Sequence, residues 1–205
     1  MVISDVESSG RRGPYAKTVQ TRRTILDAAL EVFAQSGYRS GSLRNVAERV
    51  GMSEAGLLHH FPSKSALLAA VLEHRDDHST EMFNFFESTG RERLTNLVGL
   101  AAYNATIPGV VELFTNLAAE STAADHPAHE YFKDRYHRTT ALVTDSLEDL
   151  QSRGELLPGV DPKSAAQRAI ALWDGLQIQW LLDRDSLDMA EQLKAYFDSL
   201  MTEPL

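Results

Sequence analysis

The chain has 205 residues, of which 43% are hydrophobic, and it carries a formal net charge of -9. This length and apolar content suffice for one packed domain or two small ones. The absence of cysteine excludes disulfides and thiolate metal sites. The N-terminus lacks the apolar segment of a secretory signal and no window approaches a membrane span, so we expect a soluble cytoplasmic protein without membrane contacts.

The first 16 residues are rich in serine and glycine and include Arg11 and Arg12. This composition predicts a flexible basic arm over residues 1–16. Such an arm can place arginine side chains in a DNA minor groove, although a solvated tail is the simpler interpretation.

Apolar spacing predicts a first helix from about Thr18 to Ser36 and a second from Leu43 to Val50. Gly51 ends the second helix, because glycine adopts the positive φ that a tight turn often needs. Ser53 is a candidate N-cap for a third helix, Glu54 to His60. Two short helices joined by a glycine turn, with small and polar residues exposed on the second, predict a helix-turn-helix.

Positive charge is concentrated over the same segment. Nine bases and four acids lie between Arg11 and Lys64, so this part carries +5 and the remaining residues carry -14. A basic end on an acidic chain favours a part that faces nucleic acid and a separate acidic body.

The remaining chain lacks strand-like alternation of apolar residues, so helices are predicted almost throughout it. The expected ranges are 64–87, 91–106, 109–123, 127–154, 162–182 and 187–201. The apolar end of the first range is expected to pack on the acidic body through Met82, Phe83, Phe85 and Phe86. The sequence therefore predicts an all-α protein of about nine helices.

Particular residues narrow the function further. The chain resembles the DNA-binding domain of the TetR family of transcriptional repressors in the segments Ile25–Phe33, Ser36–Tyr38, Ser42–Ala47, Gly51–Ser53 and Leu57–Leu68. The resemblance covers about the first third of the chain. The chain departs from it at Gly56, where the family often has threonine or serine, and at Leu58, where the family often has tyrosine.

The resemblance implies a helix-turn-helix domain at residues 17–65 and a larger helical domain at residues 66–205 that binds an effector and dimerises. It implies a repressor that binds a palindromic DNA operator as a homodimer and is released by a small molecule. No cofactor is expected.

The exposed helix ends predict the DNA contacts. Basic side chains and backbone N–H groups at a helix start can hold phosphates, as at Lys64. Glu54 could accept a hydrogen bond from a cytosine amino group, and Ala55 could contact a thymine methyl group. For His59 and His60 a capping or core role is nearly as compatible with the sequence as a phosphate contact. The predicted set is Ser42, Arg44, Ser53, Glu54, Ala55, Gly56, His59, His60 and Lys64.

The last two helices carry apolar residues on more than one face, which indicates burial between two layers. In the TetR family these helices form the homodimer interface, and the resemblance implies the same here. The expected contacts are Leu172, Leu176, Trp180, Leu193, Tyr196 and Leu200. Alternatively, both faces belong to the internal core.

Polar groups embedded in apolar stripes of the body are candidates for an effector pocket, with aromatic and leucine side chains as its walls. The candidates are Phe86, Tyr103, Asn104, Phe114, Leu117, Glu120, Tyr136, His137, Trp173, Asp174 and Gln177. The sequence does not identify the ligand.

Other functions stay open at this point. A metal sensor could use His74 with His78, or His126 with His129, because each pair lies at helical spacing or at a helix start. A helical adaptor without specific DNA binding is compatible with the two departures from the family pattern. An enzyme is not expected, since no catalytic or phosphate-binding motif occurs in the sequence.

Overall fold

The computed structural model describes residues 14–205, and their side chains from Lys17 onward. This part of the chain forms nine helices and no strand, apart from an isolated antiparallel bridge between Leu156 and Met201. The helices are α1 (Pro14–Ser40), α2 (Leu43–Arg49), α3 (Glu54–His60), α4 (Lys64–Met82), α5 (Gly90–Asn104), α6 (Pro108–Glu120), α7 (His129–Ser152), α8 (Pro162–Leu182) and α9 (Met189–Asp198). The all-α prediction is confirmed, whereas the predicted arm lies outside the described residues up to residue 13.

No single helix between residues 14 and 205 combines the length and the apolarity that crossing a membrane requires. The pair α5 and α6, bent by 106° where they meet, satisfies both criteria when the two helices are counted together.

The helix α1 is longer than predicted at both ends and contains a kink. Gly37 has φ 72° and ψ 161°, a conformation that glycine adopts readily because it has no Cβ. The chain resumes a helical path after the kink, so Tyr38 contacts Phe33 edge-on with ring centroids 5.6 Å apart. Ser36 followed by glycine is typical of a helix end, but here the helix continues to Ser40.

Serine N-caps begin the three helices that follow. The hydroxyl oxygens of Ser42, Ser53 and Ser63 each accept a hydrogen bond from the backbone N–H three residues later, at 3.0–3.1 Å. Each cap satisfies an N–H group that the first helical turn leaves unpaired. Gly51 has φ 71°, as the predicted turn requires, and α2 therefore ends where α3 can begin.

Two clusters of buried side chains hold the helices together. The first, which we call the head cluster, joins α1–α4 through residues that include Ile25, Phe33, Leu57, Phe61, Leu67 and Val71. It also contains Leu113 and Leu117 of α6 and Phe132 of α7. The second, the body cluster, joins α5, α7, α8 and α9 and includes Leu94, Leu147, Ala166 and Phe197. Because α6 and α7 contribute to the head cluster, the helix-turn-helix packs directly on the rest of the protein.

The helix α4 ends at Met82, earlier than predicted. Asn84 has φ 52°, in the left-handed region, and the chain turns there between two phenylalanines. Phe83 and Phe85 stack with ring centroids 6.0 Å apart, and Phe85 is buried. Met82 and Phe86 are exposed, Phe86 to 86%, so the expectation that these two pack on the body was wrong.

Other helix ends also differ from the predictions, among them the start of α7 and both ends of α9. α7 begins at His129, after a series of turns over residues 121–128. α9 begins after Asp188, whose carboxylate accepts two backbone N–H bonds at 2.8 and 3.0 Å. Its predicted last turn is tighter than an α-helical turn, since the Leu200 N–H donates to the carbonyl of Phe197 at 3.0 Å. The Leu157 N–H in turn donates to the carbonyl of Leu200 at 2.9 Å. Local capping and this distant pairing set both ends of α9.

Candidate nucleic-acid interface and central cavity

The helix α3 has one buried side and one open side. Leu57 is 0% exposed and Phe61, at the C-cap, is 2% exposed, and both belong to the head cluster. The opposite side presents Glu54, Ala55 and His59 to solvent. A short helix that is anchored on one side and open on the other has the shape that enters a DNA major groove.

Arg22 of α1 fixes the C-terminal end of α3. Its Nη1 atom donates to the backbone carbonyl of His60 at 2.6 Å, and its guanidinium lies 4.2 Å from the ring centroid of Phe61. A basic group at the last carbonyls of a helix stabilises that end. Sequence analysis missed this contact because 38 residues separate its partners, so no local pattern indicates it.

At the start of α2, Ser42 and Arg44 are available on the same surface as α3. Arg44 is exposed, and its Nε atom pairs with Glu48 at 2.8 Å, a hydrogen bond that raises the pKa of Arg44. The hydroxyl groups of Ser42 and Ser53 use an oxygen lone pair for capping, so each O–H proton is free to donate to another acceptor.

Lys64, at the start of α4, makes contacts within the protein. Its Nζ atom donates to the carbonyl of Arg39 at 3.0 Å and lies 4.6 Å from the ring centroid of Tyr38. Partial burial lowers the pKa of Lys64. An ammonium group has three N–H donors, so a phosphate contact is compatible with this position. The contacts tie the start of α4 to the end of α1.

A cavity of about 180 Å³ lies in the body between α4, α5, α7 and α8. Its apolar wall includes Phe85, Leu97, Leu100, Val143, Ile170 and Trp173. Of the predicted pocket residues, Phe86, Trp173 and Asp174 line this cavity. We call it the central cavity.

The other predicted pocket residues are distributed over neighbouring spaces. Phe114, Tyr136, Asp174 and Gln177 line a second cavity of about 240 Å³. Leu117 and Glu120 lie in a cleft between α1 and α6, and Asn104 borders a very small space beside Trp173. Tyr103 packs against Phe83 with ring centroids 6.1 Å apart, and His137 is exposed on α7. The structure thus does not bring the predicted set together at one place.

A buried polar network that the sequence analysis missed borders the central cavity. Asp76 accepts a hydrogen bond from the hydroxyl of Tyr131 at 2.7 Å and pairs with Arg135 at 3.2 Å and with Arg138 at 3.8 Å. Burial raises the pKa of Tyr131, which keeps its hydroxyl protonated as the donor. Arg75, the residue before Asp76 on α4, donates to Ser79 and Asn104.

Asp174 forms a smaller pair at the boundary of the two cavities. It accepts a hydrogen bond from the hydroxyl of Tyr136 at 2.8 Å. Burial raises the pKa of the Asp174 carboxyl, and it raises the pKa of the Tyr136 hydroxyl as well. The position of Asp174 on α8 lets it face both the central cavity and the second one.

Most of the expected dimer contacts lie inside the protomer. Leu193, Trp180, Leu176 and Leu200 are 1%, 5%, 6% and 8% exposed and belong to the body cluster. Leu172 and Tyr196 are partly buried against the same cluster. The structure therefore assigns four of these six side chains to the protomer's own core, where a second chain cannot reach them.

A different stripe of α8 is open. Ile178 is 49% exposed and Leu182 is 83% exposed. Ala171 and Gly175 lie on the same side at helical spacing, and Ala171 is exposed. We call these four residues the α8 stripe. An apolar stripe of this kind is typical of a surface that another helix covers.

The histidines considered for a metal are His74, His78, His126 and His129. The Nε2 atom of His74 lies 2.7 Å from a carboxylate oxygen of Asp27. The Nδ1 atom of His126 lies 3.0 Å from the Ser121 hydroxyl, and that of His129 lies 2.8 Å from the Ser121 carbonyl. Within residues 14–205, no group of three or more histidines, aspartates or glutamates is arranged to hold a metal ion.

Comparison with known protein families matches both parts of the chain. The model of bacterial regulatory proteins of the tetR family matches residues 25–71. The model of the C-terminal part of BetI-type transcriptional repressors matches residues 90–202, more than half of the chain. The first match contains the helix-turn-helix. The second contains the α8 stripe and the sides of the central cavity that α5, α7 and α8 form, whereas the α4 side of the cavity lies between the two matches.

Similar proteins are transcriptional regulators. The A-factor receptor protein of Streptomyces griseus is 28% identical over 180 residues, which are 87% of this chain and 61% of that protein, so the chain spans less than two thirds of this relative. The HTH-type transcriptional regulator UidR of Escherichia coli (strain K12) is 25% identical over 174 residues, 84% of this chain and 85% of that protein. A transcriptional regulator from Saccharomonospora viridis in complex with choline has a TM-score of 0.74 at 25% identity, over 88% of this chain and 95% of that one. The chain belongs to the TetR family of DNA-binding transcriptional regulators.

Proposed function

We propose that the protein is a repressor that binds a two-fold-symmetric operator as a homodimer and leaves the DNA when a small molecule occupies its central cavity. In this proposal residues 17–65 bind DNA, and residues 66–205 bind the effector and form the dimer. The observation that carries the proposal is the position of α3, which Leu57 anchors while Glu54 and Ala55 stay exposed.

The DNA contacts divide into two groups. Glu54, Ala55 and Gly56 face the base edges, because the first turn of a recognition helix lies deepest in the major groove. The phosphate contacts come from helix starts and nearby side chains, namely Ser42, Arg44, Ser53, His59, His60 and Lys64. Phosphate contacts fix the position of the helix-turn-helix on the duplex, and the base contacts determine which sequence is bound.

The α8 stripe is the proposed dimer contact. Ile178 and Leu182 expose apolar surface, and covering it with the same stripe of a second copy removes that surface from water on both sides. A two-fold axis at this stripe gives two copies of α3 related by the same symmetry. Binding of both to one face of the duplex requires half-sites about 34–36 Å apart.

The helix α6 is suited to connect the central cavity with the DNA-binding part of the chain, residues 17–65. Its Phe114 lies with its ring centroid 5.6 Å from the Arg75 guanidinium, and its Leu117 lies in the head cluster. At its end Glu120 pairs with Arg39 at 3.5 Å and with His126 at 3.7 Å. A ligand that shifts α6 therefore shifts the end of α1, provided that it binds one arrangement better than the other.

Footprinting of the purified protein on genomic DNA tests the proposal. We expect a protected site of two inverted half-sites, and a gel shift that Ala55→Asp abolishes because the new carboxylate faces the DNA. Ala141→Asp is the matched control, since Ala141 is also exposed but lies on α7. A protected site without two-fold symmetry, or equal DNA binding by both variants, would contradict the proposed mode of binding.

A further inference from the structure

Arg75 is a buried cation without an acidic partner. Its side chain is on α4, and the residue is 8% exposed. Its Nη2 atom donates to the side-chain oxygen of Asn104 at 2.6 Å, and its Nη1 atom donates to the hydroxyl of Ser79. Both acceptors are neutral, and no carboxylate of residues 17–205 forms an ion pair with this guanidinium. Burial lowers the pKa of Arg75, as expected for a charge removed from water.

The nearby carboxylates are already engaged. Asp76 takes one hydrogen bond from Tyr131 and faces two arginines, Arg135 and Arg138. Asp174 accepts a hydrogen bond from the hydroxyl of Tyr136 and lies close enough to Arg135 to be influenced by its charge. Three arginines and three aspartates line the central cavity, and one of each, Arg138 and Asp77, is exposed at its edge. Because both inner aspartates are already engaged, Arg75 is left without a carboxylate partner.

Apart from the hydroxyl groups of Ser79, Thr80 and Thr139, the rest of the wall is apolar. Leu97 and Leu100 of α5, Val143 of α7 and Ile170 of α8 face the space that Arg75 borders. Its volume of about 180 Å³ exceeds that of the roughly 150 Å³ apolar cavity that admits benzene in another protein. A buried cation at one side of an apolar cavity fits a molecule with one anionic group and a compact hydrocarbon part.

We propose that the effector is a small amphipathic carboxylic acid whose carboxylate binds Arg75 and whose hydrocarbon part lies against Leu97, Leu100 and Ile170. The inference rests on the proposed function, because it takes the central cavity as the effector site. The carboxylate supplies the counter-charge that this guanidinium lacks in the protein. A charge-assisted hydrogen bond in a partly dry site is stronger than a neutral one, and planar guanidinium groups match carboxylate geometry.

Calorimetric titration of the purified protein, without DNA, tests the charge of the ligand with three probes of equal chain length. Octanoate is anionic, octanamide is neutral and octylammonium is cationic. We expect octanoate to bind about tenfold more tightly than octanamide, in line with the extra strength of a charged hydrogen bond, and octylammonium to bind least. Tightest binding of octylammonium would place the head group at Asp174 instead, and equal binding or no saturable binding of the three would equally overturn the proposal.

Variants of Arg75 test the residue itself. Arg75→Gln removes the charge but keeps an amide donor for Asn104, so octanoate affinity should fall to that of octanamide while octanamide affinity is unchanged. Arg75→Lys keeps the charge and should keep the preference for octanoate. Arg153→Gln makes the same charge change at an exposed site on the end of α7, where Arg153 pairs with Asp149, and should change neither affinity. Thermal unfolding of each variant shows whether it folds.

Two outcomes separate this inference from the proposed function. If footprinting finds the operator but the protein binds octanoate no more tightly than octanamide, the proposed repressor function is retained and the anionic effector is rejected. If octanoate binds through Arg75 but no operator is found, the ligand chemistry stands and the repressor does not. Retention of the octanoate preference in Arg75→Gln would remove Arg75 from the site in either case.

Discussion

Neighbouring leucines on α3 offer a direct test of how the recognition helix is oriented. Leu57 is fully buried in the head cluster, whereas Leu58 is 37% exposed. The same substitution at adjacent positions therefore removes a core side chain in one case and a surface side chain in the other. We expect Leu57→Ala to destabilise the protein strongly and Leu58→Ala to leave its stability nearly unchanged.

The magnitude follows from the surroundings of Leu57. Truncation of a buried leucine to alanine costs about 2–5 kcal/mol, and the cost is larger where the site cannot collapse. Leu57 is the one buried residue of a seven-residue helix, and its cluster includes Phe33, Val46 and Leu67 from three other helices, so we expect about 3–4 kcal/mol. For a protein of this size that corresponds to a melting temperature lower by roughly 6–16 °C. Surface substitutions such as Leu58→Ala are usually within about 0.5 kcal/mol.

Thermal unfolding followed by far-ultraviolet circular dichroism gives both values, provided that the protein concentration is fixed, because a dimer's melting temperature depends on it. Gel shifts on the same samples add a second comparison. Leu58→Ala should weaken operator binding while it melts like the parent, since Leu58 lies on the open side of α3. If Leu58→Ala lowered the melting temperature as much as Leu57→Ala, the assignment of the two sides of α3 would be wrong.

Three further predictions concern single side chains. Ser53→Ala removes the acceptor of the 3.1 Å hydrogen bond from the Gly56 N–H and should lower the unfolding free energy by about 1 kcal/mol, which thermal melts measure. Ser53→Asp should keep the cap but weaken DNA binding, because its carboxylate repels phosphates, and gel shifts measure this effect. Lys64→Ala should reduce the slope of log affinity against log salt by about one unit. An unchanged slope would mean that Lys64 contacts the carbonyl of Arg39 and not a phosphate. Because burial raises the pKa of Asp174, the folded state binds its proton more tightly than the unfolded chain, so stability should fall as pH rises from 3.8 through the raised value. Urea unfolding at several pH values measures this fall in stability, and the Asp174→Asn variant should not show it. Identical profiles of unfolding free energy against pH for the variant and the parent protein would contradict the argument.

Local patterns were sufficient to predict the helix-turn-helix. A serine N-cap needs only its own hydroxyl and an N–H three residues later, so Ser53 could be identified without knowledge of the fold. The positive φ of Gly51 likewise depends on the turn itself. The ends of α1 and α4 could not be predicted in this way, because the positive φ at Gly37 and Asn84 depends on tertiary packing. Tyr38 contacts His126 and Lys64, and Phe85 is buried.

The cavity and the dimer face depended on tertiary structure. Asp76 meets Tyr131 and Arg135 across separations of 55 and 59 residues, so no spacing in the sequence indicates the network. One signal was present, since Arg75 lies on α4 at the same helical face as Val71 and is therefore directed inward. For α8, apolar residues on two faces left open which face is internal, and only the packing of α6, α7 and α9 decides it.

The helix α4 links the proposed effector contact to the DNA-binding surface. Arg75 and Lys64 lie on the same helix, about 16 Å apart along its axis at 1.5 Å per residue. Leu67 and Leu68 lie on α4 between these two residues and are fully buried in the head cluster. We therefore expect α4 and the helix-turn-helix to move together. If octanoate at Arg75 lowers operator affinity, linkage requires that operator DNA lowers octanoate affinity by the same factor, typically about 5–150-fold. Octanoate titrations with and without saturating operator DNA measure this factor directly, and equal affinities in the two titrations would separate the central cavity from DNA release.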